Sequence, residues 1–262
     1  MWIEAVGVVA PGLPNWETTR AVLRGEVAYL PAALPPHQAT LLPPNERRRA
    51  PASVRLAFSA AEDVFTRTPI APGDCAAVFV SSDADMRIID RINQGLSRSE
   101  RVVSPIDFHN TVHNAAAGYW SIAVDGRLPS TTLCAYDAGF AAALLEALPF
   151  VALDNHPTLL VAYDMPAPPL LAPKRRLDVA ASVALLLTPR PTEASMARIH
   201  ISLQPATAGV TTMEEAPFEA LRCANPATRA LPILAVLACA KSGTIVLKAT
   251  GGQQLEVDLT PP

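Results

Sequence analysis

Residues 107–148 read DFHNTVHNAAAGYWSIAVDGRLPSTTLCAYDAGFAAALLEAL, and this stretch decides the fold class. A β-branched run from Ser130 to Leu133 passes through Ala135-Tyr136-Asp137 into an Ala/Leu-rich segment with helical spacing. That pattern predicts a strand running into a helix, with Asp137 at the junction. The first turn of a helix carries unpaired N–H groups and a partial positive charge, so an anion is stabilised there. A thiolate at such a junction is an activated nucleophile. A carboxylate in the same place reads as an N-cap, worth about 1 kcal/mol.

Outward from this stretch, strands and helices alternate. Toward the N-terminus, MWIEAVGVVAPGLPNWETTRAVLRGE gives an apolar strand, a Pro-Gly loop and a helix with Asn15 as N-cap and Gly25 at C′. Residues 31–51 carry Pro-Pro at 35–36 and 43–44 and read as a surface loop. Arg47-Arg48-Arg49 reads as a solvated loop or helix start, or as a docking patch for an acidic carrier protein. Val54, Ala57, Phe58, Ala61, Val64 and Phe65 recur at helical spacing and predict a buried-face helix. CAAVFVSS at 75–82 has the apolar continuity of a covered central strand. It leads into the glycine-free turn SSDADM and an amphipathic helix marked by Ile88, Ile89, Ile92 and Leu96.

Beyond Asp137 the helix is expected to end at Pro149. Strands follow at 157–163, 179–188 and 197–204, with a proline-rich surface loop at 165–178. The tail predicts a helix at about 226–240 and a hairpin turning at Gly251-Gly252. Cys75 reads as a small buried apolar residue, and Cys223 and Cys239 as inert core thiols.

Composition narrows the function classes. The chain has 262 residues, 50% hydrophobic and 17% charged, enough to bury a large core as one domain. A net charge of −3 gives no case for nucleic acid. Mean hydropathy is +0.24, yet no apolar run approaches the roughly 18 residues that a membrane span needs. The first residues lack the basic segment and processing site of a signal peptide. Four cysteines without CxxC or metal-ligand spacing fit a reducing, cytoplasmic setting. His109 and His113 read as braces of a helix start; four apart on a helix they could hold a metal, but no acidic residue follows at ligand spacing.

The run HNAAAGYWSI, then GRLPS, then eight residues from Pro129 to position 137, resembles the β-ketoacyl synthases of the thiolase-like superfamily. In that family the nucleophilic cysteine follows the proline by the same eight residues. An ungapped count puts Asp137 there, and Cys134 falls three residues too early. The resemblance covers most of residues 1–204 and implies an α/β, thiolase-like layered sandwich. It implies a ketosynthase N-terminal half over 1–204, with 205–262 a shortened C-terminal remnant packed on the same core. The family's two catalytic histidine motifs and its Gly-Phe-Gly gate are missing; only His156 and His200 lie beyond position 137.

Among synthase relatives the chain is most similar to the short chain-length-factor-like subunits of aryl polyene and related pigment clusters. The resemblance therefore implies a catalytically silent partner of an active β-ketoacyl synthase, reached only indirectly by acyl carrier protein and needing no cofactor. It places Phe108, His109, Thr111, Val112 and His113 near the partner's acyl tunnel. It also places Thr131, Thr132, Leu133, Cys134 and Tyr136 on the strand that meets the partner. Two other readings stand beside it: an acyl-transfer or thioester-hydrolysing enzyme using Cys134 or Asp137, and a scaffold without influence on product length.

Overall fold

The computed structural model describes residues 1–34, 36–207 and 209–262; Pro35, in the first Pro-Pro pair, lies outside the described residues. The chain opens with β1 (Trp2–Val9) and α1 (Trp16–Leu23), then a short α2 (Pro44–Arg49) and α3 (Ala52–Phe65). β2 (Ala76–Ser81), α4 (Met86–Leu96), α5 (Pro105–His109), α6 (Ala115–Val124) and β3 (Ser130–Cys134) follow. After α7 (Gly139–Ala152) come β4 (Thr158–Asp164), β5 (Ala181–Thr188) and β6 (Ala197–Pro205). The tail supplies α8 (Ala216–Ala224), α9 (Leu231–Ala238), β7 (Gly243–Lys248) and β8 (Gln253–Thr260).

All eight strands form one sheet in the order β3-β2-β4-β5-β1-β6-β8-β7. The β3-β2-β4 segment is parallel, and every other pairing is antiparallel. β2, β4 and β5 are buried along their whole length, which is why they read as continuous apolar runs. Their side chains alternate between two cores. Ala77, Phe79, Leu159, Val161, Ala184 and Leu186 join α3 and α6, while Val78, Val80, Leu160, Ala162, Val183 and Leu185 join α7 and α9. The second core also takes Leu247, Leu255 and Val257 of the β7–β8 hairpin, so the tail helps to cover α7.

Backbone contact is closest at Gly7. A Cβ there would stand 1.9 Å from the Ala60 carbonyl oxygen, so only glycine lets α3 lie against β1. On the α3 and α6 side, Trp120 meets Phe58 edge-on at 5.1 Å and stacks on Phe65 at 5.8 Å. Gly251 and Gly252, at φ +65° and +72°, make the tight hairpin turn.

Several expectations need correction. Pro149 does not end its helix: α7 runs through it to Ala152. The missing N–H deprives only one carbonyl, whereas stopping there would expose Val151, now 1% accessible. Pro149→Ala restores that bond and is expected to raise Tm by a few degrees, about 1 kcal/mol, in a thermal melt. The helix expected over 226–240 is a 3-10 turn, Ala227–Ala230, followed by α9 with Pro232 in its first turn. α8 was not anticipated. Cys75 is buried as expected, and burial pushes its thiol up to about 12. Cys223 is exposed and Cys239 half-buried, so neither is a core thiol.

Candidate functional site

Parallel strands place their C-terminal ends on one side of a sheet, and here three turns converge there. β2 ends in the turn Ser82–Asp85, β3 in a 3-10 turn at Tyr136–Ala138, and β4 in the loop that precedes β5. Two of the seven non-glycine residues with positive φ among the described residues fall in these turns. Tyr136 sits at φ +50°, and Ala84 at φ +57° takes the left-handed position that a glycine would normally fill.

Arg175, from the proline-rich loop, ties the turns together. Its Nε donates to Asp83 at 2.8 Å and its Nη1 to Asp137 at 2.8 Å, while the guanidinium lies 3.6 Å from the centroid of the Tyr136 ring. The side chain is buried although the surrounding loop is exposed. Asp137 is therefore an ion-pair partner and not an N-cap: α7 begins at Gly139, and Ala138 before it makes no side-chain cap. The 3-10 turn inserted between strand and helix moves the carboxylate off the helix terminus. Sequence periodicity carries no sign of Arg175, whose partners lie 92 and 38 residues away.

Asp164 closes β4 and pins the neighbouring turn, accepting from the Ser82 N–H at 2.9 Å and the Ser82 hydroxyl at 2.7 Å. Burial pushes its carboxyl up to about 7, opposed by the Ser82 bonds and by Arg175, which favour the anion. A carboxyl raised in the fold contributes stability that is complete below its ordinary value of 3.8 and lost as pH rises through about 7. Tm is expected to fall from about pH 5 to about pH 7.5, and Asp164→Asn to flatten that fall; parallel melting curves for the two proteins would contradict it.

The residues expected at a partner surface divide between the edge strand β3 with its following turn and the segment in and after α5. β3 is an edge strand. The Ala77 N–H bonds to the Pro129 carbonyl, and Ala77 is in register with Ser130. In a parallel ladder this phase turns the backbone of Thr131 and Leu133 toward β2, and the N–H groups of Thr132 and Cys134 away from the sheet. Tyr136, just after β3, and Ile122, on α6 that packs against β3, are exposed, as are Phe108 (70% accessible) and Val112 in and after α5. Of the apolar face of α4, only Ile88 is buried; Ile89 and Leu96 are exposed.

His109 ends α5 and His113 lies in the following turn, so the two are not four apart on one helix. Both are exposed, and neither ring makes a hydrogen bond among the described residues, which removes the bracing role. Thr111 donates its hydroxyl to the Phe108 carbonyl at 2.8 Å. Cys134 ends β3 with its sulfur 3.7 Å from the Ser81 hydroxyl. Among the described residues no imidazole bonds to Cys134 or Asp137, and no group of three metal-ligating side chains occurs. His156 precedes β4, at the opposite end of the parallel strands, and His200 is paired with Asp258 on the far side of the sheet.

A family model described as the β-ketoacyl synthase N-terminal domain matches residues 17–244. The chain belongs to that family. The match runs past residue 204 and takes in β6, α8 and α9. No curated protein matches this synthase-family chain. Among solved structures, it is similar to the ketosynthase ApeO in complex with its chain length factor ApeC from Xenorhabdus doucetiae, at TM-score 0.71 and 21% identity over 98% of this chain and 99% of that one. It is also similar to the ishigamide ketosynthase/chain length factor, at TM-score 0.72 and 14% identity over 99% of both chains. A third similarity, at TM-score 0.77 and 10% identity, is to AntDE:AntF, a type II acyl-carrier protein in complex with its ketosynthase bound to the hexaketide, and spans 100% of this chain and 99% of that chain. At these identities the likeness establishes the fold, a thiolase-like α/β architecture. Among the described residues no helix is long and apolar enough to cross a membrane.

Proposed function

We propose that the chain is a catalytically silent, chain-length-factor-like subunit. It forms a heterodimer with an active, cysteine-bearing β-ketoacyl synthase and shapes that partner's acyl tunnel, in aryl polyene or related fatty-acid and polyketide biosynthesis in the cytoplasm. The observation that carries this reading is the free edge of β3, with the exposed side chains of Tyr136 and of Ile122 on α6 beside it. Unpaired N–H and C=O groups beside apolar surface favour association with another strand edge. Pairing of two related edges across a pseudo-two-fold also carries residues 105–120 toward the partner.

The silent role rests on chemistry. Condensation needs a thiol to hold the acyl group and an oxyanion hole with histidines for malonyl decarboxylation. Asp137 offers a carboxylate already engaged by Arg175, and a mixed anhydride is far more labile than a thioester. Acyl carrier protein is met through the synthase. In this reading residues 205–262 are a shortened remnant of the synthase second half.

Product length separates this role from that of a scaffold. Phe108→Ala and Val112→Ala open space at the tunnel end and are expected to lengthen the product by at least one extension unit, read by mass spectrometry of the pigment. Unchanged lengths, with yield lost only when the whole subunit is deleted, would leave a scaffold.

A further inference from the structure

Among the described residues a sizeable groove lies against α3, on none of the residues of β3. With a volume of about 1180 Å³, it runs along the outer face of α3, roofed by the segment that follows α1. Its floor extends from Ala52 to Thr66, about 21 Å at the helical rise. Leu34, Leu41, Leu56, Phe65 and Met165 give it an apolar lining.

Nearly every polar side chain that reaches the groove is satisfied within the protein. Glu62 accepts from His37 at 2.7 Å, Thr40 at 3.2 Å and the Leu41 N–H at 2.9 Å, which straps the roof to α3. Asp63 accepts from the Val8 and Trp16 N–H groups and pairs with Arg67. Asn15 caps α1, and the hydroxyls of Ser59 and Thr66 bond to α3 carbonyls or its end.

Arg55, in the first turn of α3, is the exception. Its side chain lines the groove and its Nη2 donates to the Arg47 carbonyl; its Nε, sealed from solvent and so from the groove, has no partner among the described residues. The Nε of Arg47 is shielded and unpartnered as well. The same end of α3 has no side-chain cap: Pro51 stands at the N-cap position. Its unpaired N–H groups add their positive charge to that of Arg55. Asp85, the nearby carboxylate, is taken by Ser53 and by the first N–H groups of α4.

We infer that this groove binds a long-chain carboxylate, with its anionic head at Arg55 and the uncapped start of α3 and its hydrocarbon along Leu56 toward Phe65. An apolar trough with one cationic end, the Arg55 guanidinium, matches an amphiphile of that class. This site goes beyond the proposed subunit role and does not use the β3 edge.

The test is photolabelling of the full chain, alone and co-expressed with the synthase, by a diazirine analogue of palmitate, followed by peptide mapping. Label is expected within residues 31–43 and 52–66, competed by palmitate and about tenfold less well by its uncharged methyl ester. Arg55→Met should cut it about tenfold and Arg55→Lys should keep most of it, with melting curves confirming that both variants fold. Label absent from these segments, or unchanged in Arg55→Met, overturns the inference. Because the arm without synthase does not require pairing, failure to pair and failure to bind are separate outcomes.

Discussion

Thr132→Pro is expected to weaken association with a synthase about a hundredfold while leaving the chain folded. Register places the Thr132 N–H on the open side of β3, so proline there removes no bond to β2. The Thr132 hydroxyl also has no partner among the described residues, so its loss is small. A strand arriving at this edge would lose one hydrogen bond and meet the proline ring. The combined cost is about 3 kcal/mol, roughly a hundredfold in Kd. Thr131→Pro is the matched control. Its N–H faces β2, so it should lower the melting temperature of the chain itself. Titration calorimetry and thermal melts together check the pair, and normal synthase binding by Thr132→Pro would count against strand pairing.

Arg175→Met should lower Tm by about 5–10 °C, corresponding to about 2–3 kcal/mol. The methionine keeps most of the volume but leaves Asp83 and Asp137 facing each other without the cation between them. It also removes the charge from the face of Tyr136. Arg175→Lys should recover only part of the loss, since an ammonium cannot fork to both carboxylates as the guanidinium does. Calorimetry of the three proteins measures this. Equal melting temperatures would mean that the three turns are held by the Ser82–Asp164 bonds and by the Tyr136 N–H on the Ser82 carbonyl.

Which features could be read from sequence follows from the range of the forces involved. β2, β4 and β5 were legible because strands buried on both faces must be apolar throughout. α3 was legible from its spacing, and the hairpin from Gly251-Gly252. Local rules failed where tertiary packing overrode them, as at Pro149, which the burial of Val151 carries inside α7. The apolar face of α4 was legible as a face, but periodicity does not distinguish a surface that packs on its own core from one left open. The partner of Asp137 was invisible because Arg175 reaches it through a loop without period. Asp137 itself was found by its spacing from Pro129, and the structure changed its role from cap to ion-pair partner.

The central claim is pairing with a cysteine-bearing synthase through the β3 edge. Its most direct test is co-expression of this chain with such a synthase, followed by size exclusion with mass determination of the purified material. A stable one-to-one complex is predicted, weakened about a hundredfold by Thr132→Pro. A well-behaved monomer that ignores the synthase would contradict the account.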